Sequence, residues 1–167
     1  MNDLFTALCD LLAAEKGVYT QLVSLSRDKK DAVVANKIED LDNIVRTEQG
    51  LLVRINELER ERRRLMEEFE VLAQKPATEL QIKDIIEICP EEKKPELEAV
   101  HMELVAVLEE QVKLNDVNRQ LVESRLEYIN FLIDTMGEET DGSNPYNSTG
   151  ADARTREQRS RIIDQRV

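Results

Sequence analysis

Between Glu96 and Met136 the chain has neither glycine nor proline, and its apolar residues recur at helical spacing throughout. Leu97, Val100, Leu104, Val107, Leu108, Val112 and Leu114 begin the series, and Ile129, Leu132, Ile133 and Met136 close it. Such a run folds as one long helix and as little else. Gly137 ends the pattern as a C-terminal capping glycine does. Beyond it the segment EETDGSNPYNSTGADARTREQRSRIIDQRV is polar and rich in turn residues. The spacing therefore predicts a helical body over 1–137 and a flexible tail over 138–167. A long helix leading into a flexible strand suits a protein that holds a partner and passes it on. It does not suit one that encloses a small substrate.

Composition agrees with a helical body. Among 167 residues there are no tryptophans, three phenylalanines, three tyrosines and five glycines, while 35% are charged. Few aromatic and many charged residues favour long helices with a narrow core over sheets. Net charge is −12. The last thirty residues hold six acids and five arginines, so the body carries −11 of it. Such a surface repels phosphate backbones and anionic membranes, which argues against nucleic-acid and membrane partners. No run approaches the roughly 18 apolar residues of a membrane span. The opening segment MNDLFTALCDLLAAEKG carries Asp3 and Asp10 and lacks a basic start, so it reads as an amphipathic helix, not a signal peptide. Cys9 and Cys89 stand eighty residues apart without metal-type spacing and read as reduced packing thiols in a cytoplasmic protein.

Four helical segments succeed one another. The first covers 3–29, weakened at Gly17, with RDKKD at 27–31 as a polar break that the helix can cross. Asn36 and Glu39 have capping-box spacing, which predicts Asn36 as the N-cap of a second helix running to about Gln74. Its apolar residues Ile38, Leu41, Val45, Leu52, Ile55, Leu58, Leu65, Phe69 and Leu72 step by three and four, a coiled-coil rhythm, with Glu48 and Arg62 in seam positions. Thr78 and Gln81 give another box signature ahead of a short third helix ended by Pro90. Pro95 fits the first turn of the fourth. The expected fold is all-α: an elongated antiparallel bundle or coiled-coil hairpin of three long helices plus one short helix, with a disordered C-terminal tail.

Catalytic and metal chemistry find no support. Glu98 and His101 have the i, i+3 spacing of di-iron bundles, but those sites need the motif twice and this chain has one histidine. No nucleophile–base set or phosphate-binding glycine loop is present, so neither an enzyme, a cofactor nor a metal is expected. The ERERRR run at 59–64 alternates signs at helical spacing and reads as a solvated, salt-bridged face. The informative stretch is 114–136. Asn115 and Asn118 are poor helix formers in mid-helix, and Leu121, Val122, Leu126, Ile129, Leu132 and Ile133 come after them. Together with Tyr128, Phe131 and Met136 they cover over half the helical circumference, more than the stripe one interface needs. Two readings stay open: the bundle buries all of it, or part of it awaits a partner helix.

The chain as a whole resembles the FlgN-type flagellar export chaperones. The features that carry the resemblance are the leucine-rich first helix, LLVRINELERERRRLM in the second, and Leu-Asn-x-x-Asn-x-x-Leu-Val in the long helix at Asn115, Asn118, Leu121 and Val122. Leu-Glu-Tyr-Ile comes next, and then a Tyr-x-x-x-Gly tail at Tyr146 and Gly150. The resemblance implies a cytoplasmic, non-enzymatic chaperone, monomeric alone. Such a protein binds the hook–filament junction proteins FlgK and FlgL, prevents their premature association and delivers them to the export gate. It places substrate binding in the C-terminal part of the chaperone and gate docking, on FlhA, at Tyr146. The Arg-rich end RTREQRSRIIDQRV departs from the shortest family members. Within it Ile162 and Ile163, among arginines, form a further contact candidate, for an acidic partner or for this protein's own acidic body. The alternative is a structural coiled-coil adaptor that homodimerises.

Overall fold

The computed structural model describes the backbone of residues 2–141 and the side chains of residues 3–136. They form helices α1 (Asn2–Ala35), α2 (Ile38–Ala73), α3 (Ile82–Ile88) and α4 (Lys94–Asp141), and no strand occurs among the described residues. The all-α bundle of three long helices and one short one is the expected class. The chain divides into two compact units, Met1–Arg125 and Leu126–Val167. In the second unit the described residues are the last turns of α4.

Helix ends depart from expectation in three places. Asn36 is not the N-cap of α2. It adopts the left-handed conformation, φ 57°, its N–H bonds the Val33 carbonyl, and the N–H of Lys37 bonds the Ala32 carbonyl. That is the Schellman closure of α1, a role asparagine fills because its short polar side chain tolerates positive φ. Lys37 is the N-cap of α2 and makes no side-chain capping bond. The capping box of α3 sits three residues later than the Thr78 signature. Gln81 is the N-cap, and Asp84 accepts from its backbone N–H at 2.8 Å. Asp84 also accepts from Lys75 Nζ at 2.8 Å, and this bond, more than any other influence, holds its carboxyl below the usual range. Gly137 does not stop α4, which runs on to Asp141. Glycine lowers helix propensity by only about 1 kcal/mol, which a long helix absorbs. For the same reason α1 runs unbroken through Gly17, and it crosses the polar RDKKD segment as well.

α1 is the spine of the first unit. Phe5, Leu8, Cys9 and Leu12 pack with Met66 and Phe69 of α2, Ile85 of α3, Cys89, and Leu97 and Leu104 of α4. The Phe5 and Phe69 rings meet edge-on with centroids 5.1 Å apart, a favoured aromatic geometry. A smaller cluster joins Leu11 and Val18 to Leu58. Sequence numbers rise along α1 as they fall along α2: Phe5 meets Phe69, Glu15 meets Arg62, and Lys29 pairs with Glu48. They rise together along α1 and α4: Lys16 pairs with Glu103, Arg27 with Glu110, and Arg125 reaches Val34. So α1 is antiparallel to α2 and parallel to α4, and α2 and α4 run in opposite senses.

The seam charges of α2 are both matched by α1. Glu48 pairs with Lys29, and Arg62 lies 3.9 Å from Glu15 while also bonding Glu59. Glu15 is 7% exposed and its Oε1 has no hydrogen-bond partner. Burial pushes its pKa above the ordinary 4.5, Arg62 opposes that, and Glu59 adds to it. Both cysteines are free and buried, and burial raises both thiols.

Two outcomes are expected from this packing. Because Glu15 holds its proton more tightly when folded, its ionisation costs stability as pH rises from its unfolded value through its folded one. Glu15→Gln should therefore gain thermal stability over the parent at pH 7, and the gain should shrink as pH falls through the raised folded value and be gone below about 4.5; calorimetry across pH reads this. A Cβ at Gly17 or Gly50 would meet nothing within 4 Å. Gly17→Ala and Gly50→Ala should each add about 0.5–1 kcal/mol in urea titrations.

Candidate functional site

Within the first unit, α4 meets α1 along a seven-residue repeat. Leu97 and Leu104 are buried in the core, Gln111 and Asn118 are buried at 7% and 5% exposure, and Arg125 comes next at the surface. Gln111 Nε2 donates to Ser26 Oγ at 3.0 Å and to Asn115 Oδ1 at 3.0 Å. Asn118 Nδ2 donates to the Ser26 carbonyl at 2.7 Å, and its Oδ1 is buried without a partner. Arg125 Nη2 donates to the Val34 carbonyl at 2.8 Å. Val34 lies in the last turn of α1, where carbonyls lack helical partners and the helix dipole favours a cation. Asn118 therefore faces α1, and Asn115, itself exposed, braces Gln111. Leu121 is half-buried and Val122 exposed.

The second unit is different in kind. Leu126, Tyr128, Ile129, Phe131, Leu132 and Ile133 are all exposed, with Leu126 at 55%, Phe131 at 64% and Ile133 at 62%. At 100° per residue Leu126, Ile129 and Ile133 share one side of α4, while Tyr128 and Phe131 lie towards the other. Helices that are apolar all round are normally covered. A run of exposed apolar residues on this scale is more than the scattered apolar exposure of an ordinary surface. Four of the predicted binding residues, Leu126, Ile129, Leu132 and Ile133, fall on it. Tyr128 and Phe131, part of the broad apolar zone but not among the predicted binding residues, are exposed in the same stretch. Between positions 126 and 134 the charged residues are Glu127 and Asp134, so what this surface offers chemically is mainly apolar contact.

The remaining expectations fall elsewhere. Tyr146, Gly150, Ile162 and Ile163, together with most of the predicted tail, lie outside the described residues. His101 borders a shallow cleft with Arg62, Met66 and Leu80. Among the described residues no three His, Cys, Asp or Glu side chains converge as metal ligands do. Neither Ser26, the fully buried hydroxyl that receives Gln111, nor Gln111 itself was singled out by sequence; the signal that could have found Gln111 is its place seven residues beyond Leu104 and seven before Asn118.

A family model described as FlgN protein matches residues 1–154. The chain belongs to the FlgN family. The family is one of flagellar export chaperones. A curated relative, "Uncharacterized protein YvyG" of Bacillus subtilis (strain 168), is 29% identical over 119 residues, 71% of this chain and 72% of the relative. No solved structure matches this FlgN chain. Among its described residues no helix is long and apolar enough to cross a membrane.

Residues already exposed lose little burial when changed. Phe131→Ser and Ile133→Ser should therefore shift unfolding by no more than about 0.5 kcal/mol, while the binding of an apolar dye falls. A loss of several kcal/mol in denaturant titrations would place these side chains in a core.

Proposed function

We propose that this FlgN-family chain captures the hook–filament junction proteins FlgK and FlgL, keeps them from associating prematurely, and delivers them to the export gate. The observation that carries this reading is the apolar surface over residues 126–133, exposed on more than one side of α4. A cargo segment that is unfolded before assembly can form an amphipathic helix against such a surface, and in doing so hides its own apolar face. Release in this reading needs no cofactor: moderate affinity and competition at the gate suffice. The chaperone acts in the cytoplasm as a monomer and forms a 1:1 complex with its cargo.

Tail residues divide into two contact elements in this proposal. Tyr146 follows Pro145, which biases Asn144 towards extended geometry, and an aromatic on an extended strand is a low-entropy anchor. With Gly150 it is assigned to FlhA. Ile162 and Ile163, among Arg159, Arg161 and Arg166, form the second element, suited to an acidic surface.

Leu126→Asp and Ile133→Asp should weaken binding of FlgK and FlgL by at least about tenfold, since each costs the burial of a large aliphatic group. Helicity should stay unchanged. Tyr146→Ala should preserve cargo binding and reduce the affinity of the chaperone–cargo complex for the cytoplasmic domain of FlhA. Isothermal titration reads both. Analytical ultracentrifugation of the free chain separates this reading from the homodimeric adaptor: a stable dimer that dissociates in Ile133→Asp would assign the apolar surface to self-association.

A further inference from the structure

The α1–α4 seam changes chemistry along a single repeat. Leu97 and Leu104 belong to the core cluster; Gln111 and Asn118, seven and fourteen residues beyond Leu104, are equally buried but polar; Arg125 is exposed. The two halves differ in what fills the repeat, although half-buried Leu114 and Leu121 carry some apolar burial through the second. Burial of Leu97 and Leu104 gains the full hydrophobic term, which no alternative in water replaces. Hydrogen bonds of Gln111 and Asn118 to Ser26 replace bonds to water and gain little net. The Asn118 Oδ1, buried without a partner, gains a water when the seam opens. Arg27–Glu110 and Arg125–Val34 are surface contacts of small worth.

We propose that this seam is a half-locked zipper: α4 stays fixed to α1 at Leu97 and Leu104 and opens from Gln111 to Arg125 within the native state. Opening uncovers Val23, which shares a face of α1 with Lys16 and Arg27, the partners of Glu103 and Glu110. It also frees the Ser26 hydroxyl, which is fully buried when the seam is closed. The inference concerns the first unit alone and stands whether or not FlgK and FlgL are the cargo.

Hydrogen exchange read by mass spectrometry on the full chain tests it. Amides of 112–125 should exchange at least about tenfold faster than those of 97–108, as subglobal opening requires. The variant Ser26→Ala/Gln111→Leu/Asn118→Leu removes donors and acceptors together, a change that buried pairs tolerate. It should slow exchange over 112–125 by about tenfold or more and leave 97–108 unchanged. A second variant, Arg27→Cys/Glu110→Cys, places two thiols where an exposed ion pair now bridges the helices. Mild oxidation removes two electrons and two protons to form the disulfide, with oxidised glutathione as acceptor, and the reduced form is its own control. Oxidation should slow exchange over 112–125. Uniform protection from 97 to 125 in the parent chain would overturn the proposal. So would a disulfide that forms and leaves exchange over 112–125 unaltered, and this second comparison decides the matter even if the triple variant does not fold.

Discussion

Helix α1 cannot be left with a bare flank. Phe5, Leu8, Leu11, Leu12, Val18, Leu22 and Val23 are all nearly fully buried, and they spread around too much of the helix for one neighbour to cover. Two long helices must therefore lie against it, and α2 and α4 do. Because one runs against α1 and the other with it, the chain between them has to stay at a single end of the bundle. Residues 74–93 do this, and Ile85 and Cys89 from that segment close the same cluster that Phe5, Phe69 and Leu97 form. The short α3 is thus a plug as well as a connection.

Charges then select one arrangement among those that apolar contact alone would permit. Lys29–Glu48 and Glu15–Arg62 sit in the α1–α2 seam, and a shift by one turn would separate both pairs. Burial of Glu15 costs stability, as its raised pKa records, so its value lies in specifying register. The Gln111–Ser26–Asn118 contacts fill the corresponding place in the α1–α4 seam. Polar layers in both seams fix the alignment, at some expense of strength.

An acidic, helical first unit and an exposed apolar stretch of α4 are complementary properties in a chaperone. A net charge of −12 opposes the close approach of two copies. The surface at 126–133 nonetheless remains uncovered and offers apolar area for contact. Tyr128 and Phe131 widen that surface beyond a single stripe.

Helical class, the number of long helices and the seam positions of Glu48 and Arg62 were all legible in the sequence, because apolar periodicity reports directly on which side of a helix is buried. Helix ends were less legible. Asn36 reads equally well as an N-cap or as a left-handed closing residue, and only the backbone hydrogen bonds to Val33 and Ala32 distinguish them. Gly137 reads as a stop, yet its propensity cost is small against the continuous helix before it, and α4 passes through. For the long apolar stretch of α4 the pattern left two readings open, buried or exposed. Periodicity states that a residue is apolar but not how many neighbours reach it, and the tertiary arrangement decided it: Asn118 and Gln111 turn to α1, while Leu126, Phe131 and Ile133 face solvent. Sequence alone determined that this chain is a set of amphipathic helices. The tertiary structure decided which of their apolar residues are left uncovered, because coverage depends on where a second helix lies and no local pattern carries that information.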